Sequence, residues 1–406
     1  MRDVIVIGAR CAGASTAMLL ARKGYDVLLV DRAAFPSDIP HGHFIHRHGP
    51  RRLARWGLLD RVAATNCPPV TSFTTDFGDF TLTGHDLARD GVAMGYAPRR
   101  GAMDKLLVDA AVEAGAELRE RFAVSELVTD RDRVAGVRGA GSGGTPVAER
   151  ARVTVGADGR RSPLARAVGA AAYEEAAPAT CWYFSYWSGV EERGLELYVR
   201  DGKAILVFPT NDGLLGIFIA WAAEQLSTVR SDIERSFMAV LDEVPPLAER
   251  VRAGRREERF AGATDLPNFM RKPFGAGWAL VGDAGCHKDP MLALGMCDAF
   301  RDAELLADAL DEGLSGRRPM EEALADYERR RNEETLPDFR QNLQRARFEP
   351  LPPEMRLLRA ALRDNPDDTR RFYLAFEGMI PPESFFAPEN IRRIVAAAGL
   401  APRGPA

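Results

Sequence analysis

The chain is poor in cysteine and has no long apolar run. Its five cysteines are scattered over 406 residues, without the paired spacing of a zinc site or the even number of a disulfide framework. This usage predicts a reducing compartment, and we expect a cytoplasmic protein. No apolar stretch reaches the roughly 18 residues that a membrane-spanning helix needs, so we expect no membrane partner.

Neither sign of charge dominates the chain. The 54 Lys and Arg residues nearly balance the 58 Asp and Glu residues, and the net charge is −4. This balance gives no electrostatic basis for binding nucleic acid. With 46% hydrophobic and 28% charged residues, the composition is that of a globular protein, and the length predicts two or three domains.

The first thirty residues carry the clearest pattern. The apolar run Val4–Ile7 is typical of a buried parallel strand, and Gly8 opens a turn after it. An alanine-rich helical segment follows and ends near Gly24, and a second apolar strand, Val27–Val30, leads to Asp31. This order of strand, turn, helix, strand and acid predicts a dinucleotide site.

The glycine pattern of that site is incomplete. The segment Gly8–Gly13 has Arg10 at the place of the middle glycine of G-x-G-x-x-G, and Ala12 comes before the last glycine. The Arg10 side chain either points outward or adds a charged contact to phosphate. We expect the helix N-terminus to attract pyrophosphate. We also expect Asp31, which Arg32 follows directly, to accept hydrogen bonds from ribose hydroxyls.

Four of the six histidines lie on the loop after the second strand. They are His41, His43, His46 and His48. Few carboxylates and no cysteines accompany them, so we expect no metal site. The loop either lies beside the cofactor or is a plain surface loop, and we name His43 and His46 as the catalytic candidates.

Two later turns also follow apolar strands. Gly156–Gly159 contains Asp158, and Gly282–Gly285 contains Asp283. An acid at this place can accept from ribose or ribitol hydroxyls. The helix that begins near Met296 can stabilise negative charge on a bound ring.

The region 173–221 has a different pattern. Short apolar segments separated by polar or glycine turns predict an antiparallel sheet. Trp182, Tyr183, Tyr186 and Trp187 are interpreted either as the lining of an aromatic pocket or as ordinary sheet packing.

In this order, the three turn motifs resemble FAD-dependent oxidoreductases of the para-hydroxybenzoate hydroxylase and geranylgeranyl reductase type over about residues 1–310. The resemblance implies an α/β fold with a Rossmann-like FAD-binding domain, a mostly antiparallel substrate domain and a helical C-terminal region. The predicted domains are 1–75, 96–172 and 276–330 for FAD, 76–95 and 173–275 for substrate, and 331–406 for the helical region.

The resemblance also implies which residues hold FAD. They are Gly8, Gly13 and Asp31 at the ADP half, Arg100 of an R-x-x-hydrophobic-Asp pattern at the phosphates, Asp158 and Gly159 at FAD and transient nicotinamide, Asp283 at ribitol and pyrophosphate, Pro290 at the flavin ring, and Gly295 and Met296 at its pyrimidine end.

Two features depart from branches of this family. Flavin-dependent halogenases share the spacing of Cys286, Asp289 and Pro290, but Ala204–Phe208 before Pro209 lacks both tryptophans of their W-x-W-x-I-P motif. Halogenation is therefore not favoured. Aromatic hydroxylases usually have histidine where this chain has Cys286.

The resemblance implies an enzyme, and two activities stay open. The first is a FAD monooxygenase that uses NADH or NADPH and O₂ to hydroxylate or epoxidise a small organic substrate, with aromatic secondary metabolites as one class. It would take the reductant directly or work with a separate flavin reductase. The alternative is a reductase or dehydrogenase of the geranylgeranyl reductase type that acts on carbon–carbon bonds. A FAD-binding sensor without turnover is a third hypothesis.

Overall fold

A computed structural model describes residues 1–37, 39, 41–141 and 143–400. The chain forms two compact units. The first, here the nucleotide unit, comprises Met1–His43, Arg99–Pro178 and Leu266–Leu343. The second, here the sheet unit, comprises Phe44–Pro98, Ala179–Asp265 and Gln344–Ala406.

Helices are distributed over both units, and several begin with proline, whose missing N–H is not needed in a first turn. Those in the described part of the chain are α1 Cys11–Arg22, α2 Gly49–Arg55, α3 Leu59–Ala63, α4 Arg100–Glu113, α5 Pro163–Ala167, α6 Leu226–Ser231, α7 Ile233–Asp242, α8 Pro245–Ala253, α9 Gly295–Leu314, α10 Met320–Ala346, α11 Pro353–Leu362, α12 Pro366–Phe376, α13 Pro382–Phe386 and α14 Pro388–Ala397. None of them is both long and apolar enough to cross a membrane.

The strands of the described residues form sheets in both units. They are β1 Arg2–Ile7, β2 Val27–Val30, β3 Pro69–Val70, β4 Phe73–Asp76, β5 Thr81–Gly84, β6 Ala88–Arg89, β7 Val92–Ala93, β8 Gly95–Tyr96, β9 Glu117–Arg119, β10 Ala123–Asp130, β11 Arg133–Ala140, β12 Pro146–Gly156, β13 Ala172–Ala176, β14 Thr180–Ser188, β15 Leu195–Arg200, β16 Lys203–Pro209, β17 Leu215–Ala222, β18 Arg255–Arg256, β19 Ala261–Ala263, β20 Asn268–Arg271, β21 Phe274–Gly275, β22 Trp278–Leu280 and β23 Cys286–His287.

The nucleotide unit is built on an eight-stranded sheet. Its order is β10-β11-β12-β1-β2-β9, with β22 beside β12 and β21 beside β22. The strands β9, β2, β1, β12 and β22 run parallel. Val4, Ile5 and Val6 of β1 are fully buried, which explains the unbroken apolar run, and α1 packs against α4 and α9.

The parallel register brings the sequence motifs to one edge of this sheet. Ile7 pairs with Val30 and with Gly156, and Gly156 pairs with Leu280. The four neighbouring strands β2, β1, β12 and β22 therefore end side by side. Carboxyl ends of parallel strands share one edge, which is where doubly wound folds bind their ligands.

The sheet unit contains an eight-stranded, mostly antiparallel sheet. Its order is β18-β14-β17-β16-β15-β4-β5, with β19 also beside β14 and with β15 and β4 parallel. The C-terminal helices belong to this unit, and Tyr373 of α12 donates a hydrogen bond to the Leu82 carbonyl at 3.1 Å. The predicted mixed α/β fold with an antiparallel sheet and helical C-terminal region is confirmed.

The aromatic side chains of β14 divide between the two faces of this sheet. Tyr183 and Trp187 belong to a buried cluster with residues of α7 and α8. Phe184 and Tyr186 alternate with them and contact Phe218 on the opposite face. This division follows from the two-residue period of a strand, and it leaves one face of the sheet rich in aromatic rings.

Candidate functional site

Two positions in the glycine turn after β1 have no room for a side chain. Gly8 has a φ of 103°, and a Cβ there would overlap the Ala157 carbonyl oxygen. A Cβ on Gly13 would overlap the Gly8 carbonyl oxygen and would lie 3.0 Å from the Ala157 Cβ. The two glycines let α1 begin directly against the ends of β1 and β12, with its first N–H groups at the edge of the sheet.

Asp31 ties the end of β2 to this turn. Its Oδ2 accepts a hydrogen bond from the Ala9 N–H at 2.7 Å, and its Oδ1 accepts from the Ala33 N–H at 2.8 Å. The Asp31 side chain is buried, whereas Arg32 is exposed. The carboxylate thus orders the loop around the turn and retains lone pairs for further donors.

Arg10 reaches from the glycine turn to α4. Its guanidinium donates to Asp104 Oδ2 at 2.6 Å and to the Ser37 carbonyl oxygen at 3.3 Å, and it lies 5.6 Å from the centre of the Phe35 ring. The residue at the middle-glycine position is therefore held by protein groups. Its charge lies at the N-terminus of α1, where Arg10 is the N-cap residue without a side-chain cap.

Asp104 is the centre of a buried ionic cluster. It is 0% exposed, and Arg100 donates to its two carboxylate oxygens at 2.9 and 3.1 Å. The Cys11 Sγ lies 3.4 Å from its Oδ1. Burial acts to lower the pKa of Arg100, but Cys11, Asp104 and Asp283 together raise it. Arg10 and Arg100 share this single carboxylate, so the cluster has a surplus of positive charge.

The surroundings of this cluster fit a pyrophosphate. Burial, together with the charges of Arg100, Arg160 and Arg10, lowers the pKa of His41 to about 4, although Asp283 opposes the shift. His41 is therefore neutral at pH 7, because it is buried and lies among cations. A surplus of guanidinium charge at an uncapped helix N-terminus is the chemistry that binds phosphate groups.

Asp158 follows β12 and has one carboxylate oxygen without a partner. Its Oδ2 accepts from the Leu164 N–H at 3.1 Å, whereas its buried Oδ1 accepts from no described atom. Burial raises the pKa of Asp158, although Ser162 and Leu164 oppose the shift. Ser162 caps α5 by accepting from the Ala165 N–H at 2.9 Å. The orphaned oxygen fits a hydroxyl or N–H donor of a ligand.

The loop before α9 is held by two asparagines that the sequence analysis did not identify. Asn342 donates to the Asp289 carbonyl at 2.8 Å and accepts from the Leu292 N–H at 3.0 Å. Asn268 accepts from the Asp289 N–H at 2.8 Å. Together they fix the turn that contains Pro290. Asn342 is about fifty residues downstream on α10, so no local signal marked it.

The N-terminus of α9 opens onto free space. Leu294 precedes the helix and makes no side-chain cap hydrogen bond. A Cβ added to Gly295 would meet nothing within 4 Å, and Met296 is buried beside it. A planar ligand can approach the backbone here, and the helix dipole would stabilise negative charge on it.

The two candidate histidines have different environments. His43 is 1% exposed and belongs to the nucleotide unit. His46 belongs to the sheet unit, and its Nδ1 lies 2.7 Å from Glu377 Oε2. Glu377 is 1% exposed, and sequence reasoning missed it because 331 residues separate the pair. In the described ranges, no group of three His, Cys, Asp or Glu residues could hold a metal ion.

The sequence matches one protein family and is similar to curated reductases. A family model described as FAD binding domain matches residues 1–335. Digeranylgeranylglycerophospholipid reductase 2 of Methanopyrus kandleri is 27% identical over 326 residues, which are 76% of this chain and 78% of the relative.

Similar folds occur among solved structures. The myxobacterial chondrochloren halogenase CndH aligns with a TM-score of 0.79 and 20% identity, over 98% of this chain and 96% of that chain. pqsL, a probable FAD-dependent monooxygenase from Pseudomonas aeruginosa, aligns with a TM-score of 0.70 and 22% identity, over 93% and 99%. The family and the cofactor predicted from the three motifs are confirmed by the family match. The chain belongs to the FAD binding domain family and is a flavin-dependent oxidoreductase with FAD as its cofactor.

Proposed function

We propose that this protein is a FAD-dependent monooxygenase that uses NADH or NADPH and O₂ to hydroxylate or epoxidise a small aromatic substrate. The observation that carries this proposal is the aromatic face of the sheet unit, which we define as Phe44, Phe184, Phe208 and Phe218. Bound FAD supplies the transfer of electrons from the nicotinamide to O₂, and the protein supplies binding, orientation and the exclusion of water.

The aromatic face is a continuous series of ring contacts. Phe184 stacks on Phe218 with ring centres 4.4 Å apart, and Phe218 stacks on Phe208 at 5.0 Å. Phe208 contacts Phe44 at 5.4 Å, and Phe44 contacts His46 at 5.4 Å. Each of these rings is buried. A dry aromatic wall of this kind favours an apolar substrate beside it and keeps water away from that substrate.

The nucleotide unit would hold FAD through the residues brought to one edge of its sheet. Arg10 and Arg100 would meet the pyrophosphate, Asp31 the ribose, and Asp158 and Asp283 the hydroxyl-bearing linker. The backbone from Pro290 to Met296 would meet the flavin ring. The orphaned Asp158 oxygen and the open space at Gly295 support this assignment.

His46 would act as the titratable group beside the aromatic face. The Glu377 carboxylate accepts from Nδ1 and thereby sets the tautomer of the ring. Proton exchange with a substrate hydroxyl would then pass through Nε2. His43 stays a second candidate, buried in the nucleotide unit.

Glu377→Gln is expected to weaken the fold at neutral pH but not in acid. Burial acts to raise the Glu377 pKa, yet His46 holds it below the ordinary 4.5. A lowered carboxyl pKa contributes stability above pH 4.5, and this contribution is lost as pH falls through the folded-state value. The free energy of urea unfolding should fall by about 2–4 kcal/mol at pH 7.

The pH series distinguishes this pair from simple loss of packing. The difference between Glu377→Gln and the native protein should shrink as pH falls below 4.5. Glu383→Gln, an exposed change on α13, is the control and should leave the unfolding free energy unchanged within about 0.5 kcal/mol. A Glu377→Gln effect that is constant with pH would contradict the charged pair.

Labelled oxygen tests the proposed reaction. The FAD-loaded protein is supplied with NADH or NADPH, ¹⁸O₂ and a panel of small phenols and indoles, and products are analysed by mass spectrometry. We expect one ¹⁸O atom per product molecule, with nicotinamide oxidation that depends on the aromatic compound. Oxygen uptake that produces only hydrogen peroxide with every compound would count against this proposal.

A second candidate function is reduction of carbon–carbon double bonds. It is favoured by the similarity to an archaeal digeranylgeranylglycerophospholipid reductase. A reductase would add two hydrogens to an alkene without O₂, so the same assay under argon with an isoprenoid alkene separates the two reactions. Product that gains two hydrogens under argon would support the reductase.

A further inference from the structure

A buried lysine joins the two ends of the loop that precedes α9. Lys288 directly follows β23, and Asp298 lies in the first turn of α9. The Lys288 Nζ lies 2.6 Å from Asp298 Oδ2, and the two side chains are 5% and 11% exposed. Both residues belong to the nucleotide unit. Their ion pair therefore closes the segment that contains Pro290, Gly295 and Met296.

Arg301 completes a buried network around Asp298. Its guanidinium donates to Asp298 Oδ1 at 2.9 Å, to Asp302 Oδ1 at 2.7 Å and to the Thr335 hydroxyl at 2.6 Å. Arg301 and Asp302 are each 1% exposed. The more distant Glu334, 3.9 Å from the Arg301 Nε, is half exposed. With the lysine present, two buried cations face two buried carboxylates, so the buried charges of the network balance.

Lys288 carries its positive charge at neutral pH. Burial acts to lower its pKa, yet the Asp298 carboxylate holds that pKa above the ordinary 10.5. Charges in a desolvated place are screened less by water and salt than charges at the surface. Without the ammonium group, the network would therefore place an uncompensated negative charge in the first turn of α9.

The charge at the start of α9 bears on the chemistry of a flavin bound there. Two electrons and one proton convert an oxidised flavin into an anion at neutral pH, and charges near the ring tune this reduction. The dipole of α9 stabilises such an anion. A negative charge on Asp298 opposes the dipole from within the same turn, and Lys288 cancels that opposition.

We propose that Lys288 neutralises Asp298 in the first turn of α9 and thereby raises the reduction potential of bound FAD. This role rests on the placement of the flavin ring at Pro290–Met296 proposed above. It is the same for a monooxygenase and for a reductase, since both reactions pass through reduced FAD. Lys288 is a positioning residue in this sense, because it acts on the flavin through Asp298 and the helix start.

Reduction potentials of the FAD-loaded protein test this role. Each variant is reduced slowly without O₂ beside a dye of known potential, and the absorbances of flavin and dye give the equilibrium constant for flavin reduction. Lys288→Met should lower this constant at least tenfold, which is about 30 mV for a two-electron couple. Arg301 still lies 2.9 Å from Asp298 in that variant, so the carboxylate stays charged. Asp298→Asn should raise the constant, because it removes the negative charge.

Two control variants separate charge from loop geometry. Lys288→Arg keeps the positive charge and should keep the native reduction potential. Lys272→Met removes an exposed lysine of the same unit, whose Nζ lies 2.8 Å from Glu328. Water screens this exposed pair, so the potential should not change.

Gly295→Ala tests the placement of the ring independently. Beyond its own helix and chain neighbours, a Cβ there would meet no described atom within 4 Å, so the melting temperature of the protein freed of FAD should not change. The added methyl group should weaken FAD retention if the ring approaches this backbone. Native retention and a native potential in Gly295→Ala would overturn the placement, and the role of Lys288 with it.

Two other outcomes would overturn the role of Lys288 alone. The first is weakened FAD retention by Gly295→Ala together with native potentials in Lys288→Met and Asp298→Asn. The second is a shift of the same sign in Lys288→Met and Asp298→Asn, which would show that the pair only holds the loop. If Lys288→Met does not retain FAD, Asp298→Asn decides: a raised potential supports the proposal, and an unchanged or lowered one contradicts it.

Discussion

Asp104→Asn is expected to reduce the free energy of unfolding by about 3–5 kcal/mol, the usual effect of removing one partner from a buried ion pair. Asp104 is fully buried and is the carboxylate shared by Arg10 and Arg100. The amide has nearly the same shape, so no cavity contributes to the loss. The variant leaves two guanidinium charges close together in a desolvated place.

Urea unfolding of the protein freed of FAD measures this effect without any contribution from cofactor binding. The control is Asp109→Asn on the same helix, because Asp109 forms an exposed i,i+4 pair with Lys105 at 2.6 Å. An exposed pair of this kind contributes little, so the control should change the unfolding free energy by less than about 0.5 kcal/mol. Equal, small effects of the two variants would show that Asp104 is not the counter-ion of this cluster.

Gly13→Ala is expected to abolish FAD retention and to destabilise the fold by more than about 3 kcal/mol. The added Cβ would overlap the Gly8 carbonyl oxygen and would lie 2.9 Å from its carbonyl carbon. Both clashes are with backbone, so no side-chain rotation relieves them. The N-terminus of α1 must move away from β1, and its N–H groups then lose their place at the edge of the sheet.

The flavin absorbance that remains after gel filtration, together with the melting temperature, measures both effects. The matched control is Gly141→Ala, since a Cβ there would meet nothing within 4 Å. The control should retain FAD in the native proportion. If Gly13→Ala retained FAD like the native protein, the helix start would not be the part that holds the cofactor.

Local pattern was sufficient for the nucleotide-binding half of the fold. Val4–Ile7 and Val27–Val30 could be predicted as buried strands because parallel strands covered on both faces need apolar residues at every position. Gly8 and Gly13 could be predicted because their backbone geometry excludes a side chain. The strands and the glycine turn depend on residues close together in the sequence or on a backbone geometry that recurs among nucleotide-binding turns. A single sequence is therefore enough to predict them.

The partners of charged side chains were not visible in the same way. The alternatives for Arg10 were an outward side chain or a phosphate contact, and the structure pairs it with Asp104, 94 residues later. His46 was named as a candidate, but its partner Glu377 comes from the far end of the chain. The carboxylate partner of a charged side chain follows no regular spacing in the sequence. Only the folded chain therefore shows which carboxylate lies within hydrogen-bond distance of Arg10 or His46.

The aromatic residues of β14 are an intermediate case. The two-residue period of a strand already separates Tyr183 and Trp187 from Phe184 and Tyr186. Which face is covered by α7 and α8 depends on how those helices pack, and the sequence has aromatic residues on both faces. The sequence alone therefore does not show whether these rings line a pocket or pack within the sheet. In the structure, the rings on the two faces make separate contacts.

By itself, the sequence determined that this is a FAD-dependent oxidoreductase with a glycine turn at the end of its first strand, because backbone geometry and strand burial restrict which residues can stand there. The tertiary structure decided how Arg10 is held and which carboxylate pairs with His46. Those outcomes depend on burial and on distances between residues remote in sequence, since charge is stabilised or destabilised only by what surrounds it in space.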